Sequence, residues 1–265
     1  MSGEPTPVIR PNTLPYADRV IIVGSDAPFG WLAAGWRDFR RAGLVSFLYG
    51  LLIAATGLAL TVGLYLADLA YLIAPLVAGF MLVGPALTVG LYAISRDLEA
   101  GRRASLGRAL AAWRKNSGRF LGMGLLLVAF LIVWLRFAAL IFAVSFPYKP
   151  PELSHLLTSL LFTVDGLTFL GIGTVVGAGM ATIVFSVSVV SLPMLLDRDV
   201  DILQAIVTSV VCVMMNARVM AVWAALIVLF TAAGLLTAYV GLAVTLPLIG
   251  HASWHAYRAL IRPAG

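Results

Sequence analysis

The sequence predicts an all-α, polytopic transmembrane helix bundle: six spans in three hairpins, each hairpin preceded by an interfacial amphipathic helix. Three observations predict it. The composition is 61% hydrophobic and only 11% charged, with a mean hydropathy of +1.00. A soluble domain carries about a quarter charged residues, so the polar side chains here are too few to cover a water-facing globule. Apolar stretches long enough to cross hydrocarbon, about 20 residues each, recur along the chain. Finally, the basic residues fall on one side of the layout that those stretches define.

Residues 1–24 read as a disordered cytoplasmic tail, broken by Pro11 and Pro15, and 25–262 as a single transmembrane domain. No early apolar core of a cleavable signal is seen, so the first span is expected to direct insertion. A helix start stands at Ser25-Asp26, with Pro28 in its first turn. Phe29, Leu32, Trp36 and Phe39 follow at helical spacing, and Arg37, Asp38, Arg40 and Arg41 fall on the other side. That is the pattern of a helix lying on a membrane.

Span one is Leu44 to Leu66, and Ala67-Asp68 turns it into span two, about Leu69 to Ser95. Arg96-Asp97-Leu98-Glu99 closes the hairpin. A second amphipathic helix starts at Ser105, with Leu106, Ala109, Leu110 and Trp113 opposed to Arg108, Arg114 and Lys115. Span three is about Phe120 to Phe146. A proline-rich loop and a short surface helix, His155 to Asp165, lead to span four within Gly166 to Leu196. A third surface helix runs from Asp201 to about Asn216. The last apolar stretch, Arg218 to Gly250, is too long for one span at 1.5 Å per residue. Continued to Leu260 it holds two, split near Gly234 to Tyr239.

On this layout sixteen of the 18 basic residues share one side; Lys149 lies opposite and Arg136 falls inside span three. The positive-inside rule makes that side cytoplasmic. Both termini are then cytoplasmic, and the membrane is expected to be a bacterial inner membrane. The layout also suggests a threefold internal repeat, 25–99, 105–198 and 201–260, whose hairpins carry Pro85, Pro193 and Pro247 as kinks.

Four segments resemble a known family: Gly30-Trp31-Leu32 with Trp36-Arg37-Asp38; Gly84-Pro85 through Gly90-Leu91-Tyr92 to Ser95-Arg96-Asp97-Leu98-Glu99; Ser191-Leu192-Pro193 through Asp197-Arg198; and Leu246-Pro247 through Gly250-His251 to Tyr257-Arg258. They are similar to the bacterial predicted integral membrane proteins known as domain of unknown function 2189. The resemblance implies a membrane architecture and a bacterial origin, and no activity or site residue.

Among chemistry-bearing residues, His251 and His255 stand i, i+4 and share a helix face, a spacing that two ligands of a metal or haem can use. Two ligands are not a site, and the simpler reading puts the pair, metal-free, in the headgroup belt with Trp254 and Tyr257. Arg136 is costly within hydrocarbon unless it meets protein, water or a carboxylate, and Asp165 is the nearest acid in sequence. It is expected to face the bundle. Gly173 and Gly177 fit close helix packing. The lone Cys212 excludes an internal disulfide framework. No phosphate-binding loop, dinucleotide fingerprint, nucleophile elbow or zinc-binding cysteine set is found, so no cofactor and no enzymatic activity is expected. The basic clusters flank spans, and anionic lipid explains them more simply than nucleic acid. The expected partners are membrane lipid and other membrane proteins or a second copy. Two readings stay open: a non-enzymatic scaffold or accessory subunit of a membrane complex, and a small-solute or lipid transporter.

Overall fold

Helix α1, Ala27–Ala42, starts with proline in its first turn and ends at Gly43, whose φ of 55° bends the chain straight into α2, Leu44–Leu66. Glycine takes that left-handed backbone without the Cβ clash other residues meet. In α1 the buried stripe is Trp31, Ala34, Gly35, Asp38 and Ala42, the i, i+3, i+4, i+7, i+11 spacing of one helix face. Asp38, expected on the polar face, therefore points into the protein. Phe29 and Trp36 are exposed on a second apolar stripe, with Trp36 stacked on Phe39 at 5.4 Å. The helix thus has a protein face and a separate outer apolar face, which the sequence pattern had merged into one.

The computed structural model describes residues 16–114, 116–146 and 156–263, and these are helical with no strand beyond one isolated bridge. After α2 come α3, Ile73–Leu87, and α4, Val89–Glu99, separated only by Thr88. Pro85 explains the break, because it has no N–H for the carbonyl of Met81. The short α5, Leu106–Leu110, is capped by Ser105, whose Oγ accepts from the Arg108 backbone N–H. Helix α6, Ser117–Ser145, is unbroken. Then follow α7, Leu156–Phe162, and α8, Val164–Ser188. Residues 147–155, which hold the expected loop and the start at His155, lie outside the described residues.

Helix α9, Ser191–Asp197, continues α8 after a break, with Pro193 in its first turn where no N–H is required. The third surface helix, α10, Ile202–Met215, is capped as its sequence predicts: Asp201 Oδ1 accepts from Gln204 N at 2.7 Å. The expected split of the last stretch is present. Helix α11, Ala217–Leu236, ends in a turn with positive φ at Ala238 and Tyr239, and α12, Leu242–Leu260, follows.

Among the described residues five stretches are long and apolar enough to cross a membrane: Leu44–Leu66, Ala70–Glu99, Ser117–Ser145, Val164–Asp197 and Ala217–Leu236. The expected sixth, α12, is more polar than these and is the most enclosed of the long helices, with 14 of its 19 residues buried. It is the hub of the bundle. Helices α1, α2 and α11 pack against it along most of their contact, while α3 packs on α6 and α6 on α8. The two arms of the expected first hairpin, α2 and α3–α4, touch each other less than they touch these partners. Glycines set how near the hub's neighbours come. A Cβ on Gly50 of α2 would lie 2.6 Å from the Ala243 carbonyl oxygen, and one on Gly35 of α1 would lie 2.7 Å from Ala252 N. Backbones in such contact gain packing that lipid cannot replace.

The tail expected to run to residue 24 is structured from Tyr16 onward. Ala17–Arg19 forms a 3₁₀ turn, and Val20 bridges Ile261 in antiparallel fashion. Ile21 N donates to Leu260 O at 2.8 Å and Arg262 N to Arg19 O at 2.9 Å. Asn216 clamps the same strip, accepting from Val23 N at 3.0 Å and donating to Ile21 O at 3.1 Å. Backbone polar groups near a membrane need partners, and the C-terminal residues Leu260 to Arg262 and Asn216 supply them. Residues 1–15 lie outside the described residues.

Candidate functional site

Two features of the bundle concentrate polar or empty space, and both are built on α12. The first is a buried polar lock around its C-terminal half. Four helices converge there, and each contributes one side chain: Asp38 from α1, Ser46 from α2, Ser95 from α4 and His251 from α12. Ser46 and His251 are 0% exposed. Ser95 Oγ donates to Asp38 Oδ2 at 2.8 Å, since a carboxylate only accepts. Ser95 then has only lone pairs for His251 Nδ1, also 2.8 Å away, so Nδ1 carries the imidazole proton. In the neutral ring Nε2 is an acceptor, and Ser46 Oγ donates to it at 2.7 Å. His255 Nε2 donates to the same Asp38 oxygen at 2.8 Å. Burial pushes the Asp38 carboxyl up, but the hydrogen bonds from His255 and Ser95 and the nearby His255 charge more than offset it, leaving the group below its ordinary value.

The lock continues in a ring of charged pairs. Trp254 Nε1 donates to Glu99 at 3.0 Å and Arg258 pairs with Glu99 at 2.9 Å. Tyr257 OH donates to Asp197 at 2.7 Å, while Arg198 donates to the Tyr257 oxygen at 2.9 Å. Asp97 receives Arg102 at 2.5 Å and Arg108 at 2.8 Å. The last carbonyls of α9, orphaned at a helix end, accept from Asn116 at Leu195 and from Arg96 at Leu196. A hydroxyl on an imidazole resembles a nucleophile with its base. Ser46, however, is fully enclosed, and the pair ties α2 to α12.

The second feature is a cavity of about 540 Å³ bounded by α3, α8, α11 and α12, with Phe80, Met81, Phe185, Met220, Ala224 and Ile249 in its walls. No charged side chain lines it. Its polar groups are hydroxyls: Thr88, Tyr92, Thr182, Ser186, Ser188, Thr231 and Ser253. Volumes of this size accept a drug-sized molecule.

The residues singled out by sequence divide between these features and the outer surface. His251 and His255 both enter the lock. His251 is fully buried, and the face it shares with His255 is turned to α1 and α4 instead of outward. Among the described residues no group of three or more His, Cys, Asp or Glu is placed to hold a metal. Pro85 stands in the cavity wall, and Pro247 lies against Gly50. Pro193 is buried in α9. Arg136 and Asp165 are both exposed, and among the described residues neither has a hydrogen bond or an ion pair. The expected inward-facing Arg136 is corrected by the register of α6: its buried stripe holds Trp134 and Ala138, and Arg136 is about 200° around the helix from Trp134 at 100° per residue. Of the glycine pair, Gly177 meets Trp134, while Gly173 meets no neighbour within 4 Å, so the two do not form one close helix crossing. Asp38, Ser46 and Ser95 were missed. Asp38 was readable from its seven-residue offset from Trp31. Ser46 and His251 are 205 positions apart, and nothing local joins them.

No curated protein and no solved structure matches the chain. Residues 72–197, which cover α3 to α9 with the Gly84-Pro85 and Ser191-Leu192-Pro193 motifs, fit the model of DUF2189, predicted integral membrane protein.

Proposed function

We propose that this protein is a non-enzymatic, multi-pass protein of the bacterial inner membrane that holds a lipid-soluble ligand between its helices. The observation that carries the proposal is the uncharged cavity of about 540 Å³ between α3, α8, α11 and α12. Of the two readings open from sequence, this favours the lipid-handling one over a scaffold. It also favours a lipid over a small polar solute. A polar solute would require charged or amide groups inside, and hydroxyls alone line this space.

In this reading α12 is the sixth span, its polar residues tolerated because they face protein and pair there, and both termini are cytoplasmic. The exposed Phe29 and Trp36 beside Arg37, Arg40 and Arg41 support that side, since aromatic and basic residues gather at the cytoplasmic interface. The threefold repeat belongs to the same reading: Pro85, the Ser188–Val189 break before Pro193, and Leu246 beside Pro247 all border or adjoin the one cavity. The test is mass spectrometry of the intact protein released gently from native membrane. A bound lipophile of defined mass is expected, and Ala224→Trp, which fills the cavity, should remove it. A ligand-free wild type, or a ligand retained by Ala224→Trp, would overturn the proposal.

A further inference from the structure

The hydroxyls of the cavity are not equivalent. Thr182, Ser186 and Ser188 donate to the carbonyls of Ala178, Thr182 and Val184, four residues back in their own helix. These three are satisfied without a ligand. Thr88 Oγ1 hydrogen bonds to the Pro85 carbonyl at 2.9 Å and lies 2.7 Å from the Tyr92 hydroxyl. One proton cannot serve both bonds. The carbonyl only accepts, so Tyr92 supplies the second proton, and its oxygen keeps lone pairs beside Ser253. Ser253, 5% exposed, makes no close hydrogen bond among the described residues but has the Tyr92 oxygen beside it, which Thr231 lacks. Thr231 lines the cavity and is 6% exposed, and among the described residues its hydroxyl has no hydrogen-bond partner. Other lipid-phase threonines in this protein, such as Thr56 and Thr168, bond back to their own helix. An enclosed hydroxyl within hydrocarbon has no water to turn to.

Resting on the reading that the cavity holds a lipophile, we infer that its ligand is an uncharged molecule bearing a hydrogen-bond-accepting oxygen, a ketone- or ester-type carbonyl or an ether, which receives the Thr231 O–H. Charge is excluded by the walls. No cation stands in the cavity to meet a carboxylate or phosphate, and no carboxylate to meet an ammonium, and an unpaired charge there is prohibitive. A bare hydrocarbon would fit the walls and leave Thr231 unmet. The aliphatic part lies along Phe80, Met81, Phe185 and Ile249, and the oxygen stands at the α11 side.

The test uses the full-length purified protein and three radiolabelled probes of equal chain length: a long-chain methyl ketone, the corresponding alkane and the corresponding carboxylate. The ketone is expected to bind about tenfold more tightly than the alkane, the size of one hydrogen bond made away from water. The carboxylate should bind no better than the alkane. Thr231→Val, which keeps the shape and removes the hydroxyl, should erase the ketone's advantage while retaining alkane binding and without lowering the melting temperature. Equal binding of ketone and alkane, a preference that survives Thr231→Val, or tightest binding of the carboxylate would each overturn the inference while the cavity reading stands. If no probe binds, or if binding persists in Ala224→Trp, the cavity reading itself falls.

Discussion

Replacing Asp38 with asparagine tests the polar lock, because it removes one charge and changes almost no volume. Asp38 Oδ2 accepts from Ser95 Oγ and from His255 Nε2, each at 2.8 Å. A hydrogen bond to a charged group contributes about 1.5–3 kcal/mol. Two such bonds, taken near the low end because the His255 side chain is 29% exposed, make about 3 kcal/mol. The asparagine oxygen can still accept both bonds, but as an uncharged acceptor, so about 1–2 kcal/mol of that contribution is lost. For a chain of this size about 2–4 °C of melting temperature goes with each kcal/mol, so Asp38→Asn should melt roughly 2–8 °C lower near neutral pH. The pH dependence fixes the cause. The folded pKa of Asp38 lies below its ordinary value of 3.8. Its contribution is therefore full above the unfolded pKa and is lost as pH falls through the lower folded one. The difference between wild type and Asp38→Asn should thus be constant from pH 7 down to about 5 and shrink below about 4. Melting in detergent, followed by tryptophan fluorescence across that range, measures it. A variant as stable as wild type at pH 7, or a difference that does not narrow in acid, would refute an ionised Asp38 at the centre of the lock.

Other outcomes follow from the same coordinates. Gly50→Leu places side-chain atoms where Ala243 O and Pro247 Cγ already stand, 2.6 Å from a Cβ, and should destabilise the α2–α12 crossing by about 3 kcal/mol or more, seen as a lower melting temperature or loss of monodisperse protein. Arg136→Ala should leave the melting temperature in detergent within about 2 °C, as befits an exposed residue with no partner among the described residues; a large drop would mean that Arg136 is paired. Reporter fusions after Asp68, Pro150 and Thr237 should signal from outside and a C-terminal fusion from inside; an outside signal at the C-terminus would remove α12 as a span.

Much of the architecture was legible because it depends on local rules. Low charge content set the class. The cap residues Ser105 and Asp201 marked α5 and α10 one residue before they start, since a side-chain oxygen serving an N–H two or three residues on is a local arrangement. The α11–α12 turn was readable because 33 apolar residues exceed one bilayer crossing. Pairing was not legible. Whether α2 leans on α3 or α12 depends on Gly50 meeting Ala243 almost two hundred positions away. Likewise Asp38 was assigned to a polar face because a charge in an amphipathic helix is usually solvated. Its partners come from α4 and α12. Arg136 shows the reverse error: an arginine inside a span was expected to turn inward on grounds of cost, and the register of α6 turns it out.

The lock and the cavity are connected through the rotation of α12. Leu246, Ile249 and Ser253, which line the cavity, fall at i, i+3 and i+7 on one stripe. Pro247, His251, His255 and Arg258 fall on another, about 170° around the helix at 100° per residue. The first stripe can face the cavity only if the second faces α1, α2 and α4. A hydrophobic helix among hydrophobic neighbours has little to choose between rotations, because apolar contacts are non-directional. Hydrogen bonds are directional: His251 bonds at both ring nitrogens and His255 at one, to atoms on three other helices. A rotation of even one residue, about 100°, would break all three bonds and bury their donors unpaired. The polar half of α12, which lowers its apolarity below that of the five stretches long and apolar enough to cross a membrane, is thus what holds Ser253 and Ile249 to the cavity wall.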